Sequence, residues 1–229
     1  MEKQNYLTRQ GAAEAVSAID GFVSDMHKVY SSHGVAFGDD VGRKNIIISA
    51  AQEQFFADAI SRNFGECSSD GRTGKADIVI TSLDDHELEC KCVAQGKNGS
   101  WSLQTDKASL QSKGTLDFLY LLYDREYTSV GVFLFEGLTA DDFSDPSPGS
   151  RGKARMRKSS AFKKCKPLIG SFTDRRETYI NKYAKLFAES TEPAVKLRAA
   201  RKLELWSEKS TQISIKLEPI NEFISRDVN

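Results

Sequence analysis

Asp77 stands near the head of one β-type run, Ala76 to Ser82, and Glu89 and Lys91 stand two residues apart in a second, Glu87 to Val93. Side chains alternate across an extended strand, so Glu89 and Lys91 share one face while Leu88, Cys90 and Cys92 take the other. The four residues between the runs, Leu83 to His86, suit a hairpin, which pairs the strands antiparallel and brings Asp77 beside Glu89 and Lys91. Two carboxylates and an ammonium on one face can hold a hard divalent cation through oxygen. They also set an amine against a water and the negative charge of a phosphorane, and that is the chemistry of phosphodiester hydrolysis. Glu53, at the edge of the apolar stripe of a preceding helix, is a candidate further oxygen ligand. The bland counterpart is an ion pair on an exposed sheet face, because acid–x–lysine triplets arise readily by chance in a chain this charged. The chain has one such triplet, Glu89-Cys90-Lys91, and its place on a hairpin strand after an acid on the partner strand favours the site.

Such a site needs a sheet held by helices. Ala15, Val16, Ile19, Phe22, Val23, Met26 and Val29 recur at helical spacing, predicting a helix over 11–31 that Gly34 and Gly38 end. A second helix is predicted from Asn45, as N-cap, through Ile48, Ala51, Phe55, Phe56, Ala59 and Ile60 to Phe64. Residues 65–74 are turn chemistry with room for a short strand at their start. After the hairpin, 102–112 reads as a helix, and Asp117 to Tyr123 and Ser129 to Phe135 read as buried strands. Residues 139–167 show no period. Helices are predicted over 173–189 and from Pro193 to Lys209, and a short strand over 212–217. The order is that of an α/β or α+β core with strands covered by helices.

With Ala76-Asp77, eleven intervening residues and Glu89-Cys90-Lys91, preceded by a helix carrying Glu53 and followed by a helix and a strand, the segment 45–135 resembles the core of the PD-(D/E)XK nuclease superfamily. The resemblance implies a central mixed β-sheet with flanking helices. It also implies Mg²⁺, with Mn²⁺ able to substitute, held by Asp77 and Glu89, a water served by Lys91, and Glu53 as a further metal ligand. Ala76 stands where the motif's name has proline. A stand-alone chain with this core most resembles a type II restriction endonuclease, which implies double-stranded DNA as substrate and a homodimer whose two sites cut two strands. The alternatives are a repair or recombination nuclease of the same core, such as a junction resolvase or mismatch nicking enzyme, and a DNA-binding module without catalysis. The expected layout is one nuclease domain over 1–229, with a basic loop at 151–166 and helical 173–229 appended to the core.

Lys plus Arg and Asp plus Glu both total 32, but residues 1–150 hold 13 basic and 23 acidic side chains and residues 151–229 hold 19 and 9. The basic block, Arg151, Lys153, Arg155, Arg157, Lys158, Lys163, Lys164 and Lys166, contains no acid and would contact phosphate or guanine edges. Its bland counterpart is a solvated loop. Arg43 and Lys44 before the second helix, and Ser100, Gln104, Thr105 and Lys107 after the hairpin, are further candidates for DNA contact, although a capped helix N-terminus explains the latter equally well. Cys90 and Cys92 lack a second ligand pair and read as thiols packed under the sheet rather than a zinc site. His27, His33 and His86 fall on unrelated elements. At 229 residues with 28% charged and 39% hydrophobic, the chain reads as globular. No apolar run reaches the roughly 20 residues of a membrane span. Glu14, Asp20 and Asp25 interrupt any signal peptide, and four irregularly spaced cysteines suit a reducing, cytoplasmic compartment.

Overall fold

The run Asp117-Phe-Leu-Tyr-Leu-Leu-Tyr123 is buried on both sides at the heart of a mixed sheet, and the other elements are arranged around it. The computed structural model describes residues 5–37, 41–69 and 76–224. In chain order the elements are α1 (Arg9–Ser32), α2 (Val41–Asn63), β1 (Ser68–Ser69), β2 (Ile78–Ile80), β3 (His86–Ala94), β4 (Gln104–Asp106), α3 (Lys107–Lys113), β5 (Thr115–Tyr123), β6 (Ser129–Thr139), β7 (Lys153–Arg155), α4 (Lys158–Ala161), β8 (Cys165–Ile169), β9 (Ser171–Asp174), α5 (Arg175–Glu189), α6 (Pro193–Ser207), β10 (Ile213–Lys216), β11 (Glu218–Pro219) and α7 (Asn221–Ile224). The fold is α/β. Among the described residues its main sheet has seven strands in the order β1-β2-β3-β5-β6-β11, with β8 also on β6. β3 and β5 run parallel, and the other pairs are antiparallel.

Period-two alternation in β5 serves two cores at once. Leu119, Leu121 and Tyr123 pack with Leu88 and Cys90 under α1 and α2, where Ile19, Phe56 and Ile60 face them. Phe118, Tyr120 and Leu122 join Phe133 and Phe135 of β6 on the other face, which Leu103, Leu110, Ala154 and Phe162 cover. Each large side chain fully buried here contributes about 1.5–3 kcal/mol, so the central strand anchors both layers. Helix α1 starts at Thr8, whose Oγ1 accepts from the Gly11 N–H (3.1 Å), and closes before Gly34, whose φ of +67° suits glycine. The α5–α6 pair stands apart: none of α5 is buried, only Ala199 of α6 is, and Tyr179 stacks on Trp206 at 4.2 Å between centroids.

Several elements depart from the sequence expectation. Helix α2 begins at Val41, so Asn45 is not its cap. Asn45 lies inside the helix and its Oδ1 accepts from the Tyr127 hydroxyl (2.8 Å) and the Cys92 thiol (3.5 Å). The first hairpin strand keeps three residues, because the chain leaves the ladder for a 3-10 turn at Thr81–Leu83 and reverses through Asp84 and Asp85 at φ +50° and +57°. The helix predicted over 102–112 is half strand: Gln104–Asp106 pairs with Lys153–Arg155, and the Asp106 carboxylate then caps α3 by accepting from the Ser109 N–H (2.9 Å). The 151–166 segment is therefore not a loop. It carries β7, α4 and the start of β8, tied to partners distant in sequence. Gly38, and Asp70 to Lys75 of the expected turn, lie outside the described residues.

Asp117 is a charged residue in the apolar core, sitting where the β5–β6 ladder shifts register between Leu116 and Phe118. Its Oδ2 accepts from the Tyr6 hydroxyl (2.8 Å) and pairs with His86 Nε2 (2.9 Å), and its Oδ1 accepts from the Gly137 N–H (2.6 Å). Burial pulls the Asp117 carboxyl up, but the bonds from His86, Gly137 and Tyr6 outweigh it and hold the group below its ordinary value. The Asp117 hydrogen bond holds His86 above its ordinary value, against burial. The histidine contribution to stability is thus fully present below about pH 6.5 and is lost as pH rises through its folded-state value, while the aspartate contribution is lost on acidification. Urea midpoints measured from pH 6 to 9 should fall more steeply for the natural chain than for His86→Gln. Asp117→Ala, which strands Tyr6 and Gly137, should cost about 3 kcal/mol.

Candidate active site

β2 pairs with β3 only across His86–Leu88. From Glu89 onward that edge of β3 has no strand beside it among the described residues, and here the candidate side chains meet. A backbone amide exposed by the departing strand needs an acceptor. The Cys90 N–H donates to Asp77 Oδ2 at 2.7 Å, so the first acid is fixed to the second strand by a bond that stands in for the lost ladder. Lys91 Nζ lies 2.5 Å from Glu89 Oε1, 3.9 Å from Asp77 Oδ2, and donates to Cys90 O at 3.1 Å. All three side chains are roughly one-quarter exposed, at 21–28%. Glu53, on α2, is near enough to feel the charges of Asp77, Lys91 and Glu89.

The carboxylates are electrostatically crowded. Burial pushes Asp77 above the usual carboxylate range and Glu89 pushes it further; Lys91, the Cys90 N–H and Lys113 oppose this. Glu53 is likewise raised, first by burial and then by Asp77 and Glu89, with Lys91 opposing. One ammonium does not balance three acids in a partly desolvated place, and a divalent cation would. No group of three or more His, Cys, Asp or Glu among the described residues could hold a metal by itself. Sites for Mg²⁺ are commonly of this kind, one or two carboxylates completed by water and substrate phosphate. The donor set Asp77 and Glu89, with Glu53 adjoining, fits such an ion.

Glu89 and Lys91 open onto a cleft of about 480 Å³, walled by Gln104 and Ser102 on the β4 side, Ser109 and Leu110 of α3, and Lys153 of β7. Of the residues expected to touch DNA, Gln104, Lys153 and the largely buried Thr105 therefore line the site. Arg151, Arg155, Arg157 and Lys163 are exposed and Lys158 half-exposed, and Arg43 is exposed on the first turn of α2. Others are committed elsewhere. Lys44 lies over the Tyr127 ring (4.1 Å to the centroid) and is lowered by burial against the pull of Asp20 and Asp124. Lys107 is paired with Asp145 (2.7 Å), Lys164 binds Asp142 (2.7 Å) and Gly137 O (2.9 Å), and Lys166 binds Asn5 and Leu7 O. Ser100 bonds Asn98. Cys90 is buried; Cys92 packs against the same core and also contributes to the cleft wall, and burial pushes its thiol up to about 12.

Lys113 went unsuspected in the sequence. It ends α3, pairs with Glu87 (2.7 Å) and lends Asp77 part of its positive field; its only signal was a lysine in a last helical turn beside the site strand. The Tyr6–His86–Asp117 cluster was also missed, although an acid heading an otherwise apolar strand announces a buried partner. No protein-family model, curated protein or solved structure matches the chain. Among the described residues no helix is long and apolar enough to cross a membrane.

Because Glu53 is harder to ionise in the folded chain than unfolded, its charge costs stability, and the cost grows as pH rises from about 4.3 through its raised value. Glu53→Gln should then be more stable than the natural chain at pH 7, by a few tenths to about 1 kcal/mol after solvent screening, and equal to it near pH 3. Chemical denaturation at the two pH values measures the difference.

Proposed function

We propose that this chain is a Mg²⁺-dependent nuclease that hydrolyses phosphodiester bonds in double-stranded DNA, with Mn²⁺ able to replace Mg²⁺. The observation that carries the reading is the meeting of Asp77, Glu89 and Lys91 at the open edge of β3, beside a cleft with Gln104 and Lys153 on its walls. The succession of a helix with Glu53, an antiparallel hairpin, α3 and a strand parallel to β3 agrees with the PD-(D/E)XK core that the motif resembles.

In this reading Asp77 and Glu89 hold the cation and Glu53 supports them. Bound there, the cation would supply Lewis acidity toward a water and the phosphoryl oxygens. Lys91 carries the rest. Its ammonium, held by Glu89 and the Cys90 carbonyl, orients the attacking water and offsets charge as it grows on the phosphorane. Tethering Asp77 to the Cys90 N–H holds one acid in place without cost at the moment of reaction. Gln104 and Lys153 are placed to hold phosphate beside the scissile bond. Resemblance to type II restriction endonucleases adds a short symmetric target and a homodimer to the proposal.

Incubating supercoiled plasmid with the protein and Mg²⁺ should give linear or nicked DNA. Lys91→Ala and Asp77→Asn should each slow this at least about 100-fold with circular dichroism unchanged; full Mg²⁺-dependent cutting by Lys91→Ala overturns the assignment. Ends mapping to one symmetric sequence favour restriction, nicks at branches or mismatches favour repair, and binding without turnover in either ion leaves a DNA-binding module. Without DNA, millimolar Mg²⁺ should raise the melting temperature of the natural chain and leave Asp77→Asn unmoved.

A further inference from the structure

The cleft beside Glu89 and Lys91 continues past the candidate active site. Ser102 is on its wall and also on the wall of a second cleft of about 390 Å³, which Trp101, Arg155 and Lys158 line. Lys158 in turn lines a third, about 500 Å³, in which Phe162, Phe172 and Ile213 supply apolar surface and Lys163 and Arg176 supply charge. Shared wall residues set the three clefts side by side, a row that a single extended ligand can follow as a surface channel.

The second cleft is lined by cations without an acid, and in the third cations outnumber acids. Among the described residues the side chains of Arg155, Lys158 and Lys163 have no ion-pair or hydrogen-bond partner. Arg176 donates from Nη2 to Ser207 O (2.9 Å) but leaves its buried Nε without an acceptor. Of the two acids in the third cleft, Asp174 is occupied by the amides of Arg176 (3.0 Å) and Gln212 (3.1 Å), which leaves Glu177 as the countercharge. The Trp101 indole N–H donates to Tyr123 O (2.7 Å), which fixes a half-buried ring on the wall of the second cleft.

Spaces of this size are those of small-ligand pockets, about 300–1,000 Å³, and a double helix does not enter them. An unpaired strand does, with phosphates against the cationic rim and bases against aromatic rings, the combination that single-strand binding uses. We propose that this channel holds a single strand of DNA leading away from the cut site, so that a duplex with an unpaired arm is bound more tightly than a fully paired one. The inference rests on the nuclease reading and narrows its substrate.

Fluorescence anisotropy in EDTA, where nothing is cut, tests it with labelled oligothymidylate, oligouridylate and a blunt duplex of equal length, using the natural chain and a Lys158→Gln/Lys163→Gln variant. The natural chain should bind oligothymidylate, and the variant should bind it about tenfold more weakly. Its plot of log affinity against log salt should be shallower by roughly 1.4, at about 0.7 per lost phosphate contact on a single strand. Blunt-duplex affinity should stay within about twofold. Equal losses on single strand and duplex, or an unchanged salt slope, overturn the channel, and tighter binding of oligouridylate overturns its assignment to DNA. Failure here with Lys91-dependent plasmid cutting intact removes the channel alone; no cutting of any DNA removes the nuclease reading itself.

Discussion

The hydrogen bond from the Cys90 N–H to Asp77 is the interaction on which the site depends. A sheet strand that loses its neighbour must find other acceptors for its amides or leave them to water. β2 departs after pairing with three residues of β3, and the side chain of the residue at which it departs fills the vacancy. The same event opens the edge of β3, fixes a carboxylate there, and lets Glu53 of α2 approach Glu89 and Lys91. Had the ladder continued, a strand would lie along the edge where these groups meet.

Crowding acids around one lysine works against stability, and the surrounding structure offsets it. Strand β5 buries side chains on both faces, and its parallel pairing with β3 from Leu88 to Ala94 holds Glu89 and Lys91 in register. At the near end of that pair, Asp117 ties β5 to Tyr6, to His86 of β3 and to Gly137 of β6. The charged groups at the site are thus mounted on the rigid part of the molecule, where the backbone has little freedom to relax their repulsion.

Much of this was legible in the sequence because it rests on local periodicity. Alternation put Glu89 and Lys91 on one face, helical spacing located α1 and most of α2, and the two apolar runs became β5 and β6. What failed depended on partners far along the chain. Gln104–Asp106 is a strand only because Lys153–Arg155 arrives beside it, and three polar residues in a row carry no strand signal of their own. Asn45 has the chemistry of a cap, yet Tyr127 and Cys92 claim its oxygen. Which lysines remain available for a partner was equally invisible, since Lys107 and Lys164 are each paired with an acid 38 and 22 positions away.

That last point changes what the charge asymmetry means. An acidic first part and a basic last part suggest a body with a cationic tail, but folding cross-links them. Asp142 takes Lys164 across the divide, and Arg9 crosses the other way to Glu218 at the end of the sheet. Four side chains of the basic block that have no such pair among the described residues, Lys153, Arg155, Lys158 and Lys163, line the Glu89–Lys91 cleft and the two clefts beside it. A block of like charge in a disordered tail attracts polyanions from any direction. The same block pinned by β4 and β6 has a direction, because a polyanion lying along it would point toward the edge of β3. Separation of charge along the sequence thus becomes, through three short strands, an orientation of the surface relative to the site.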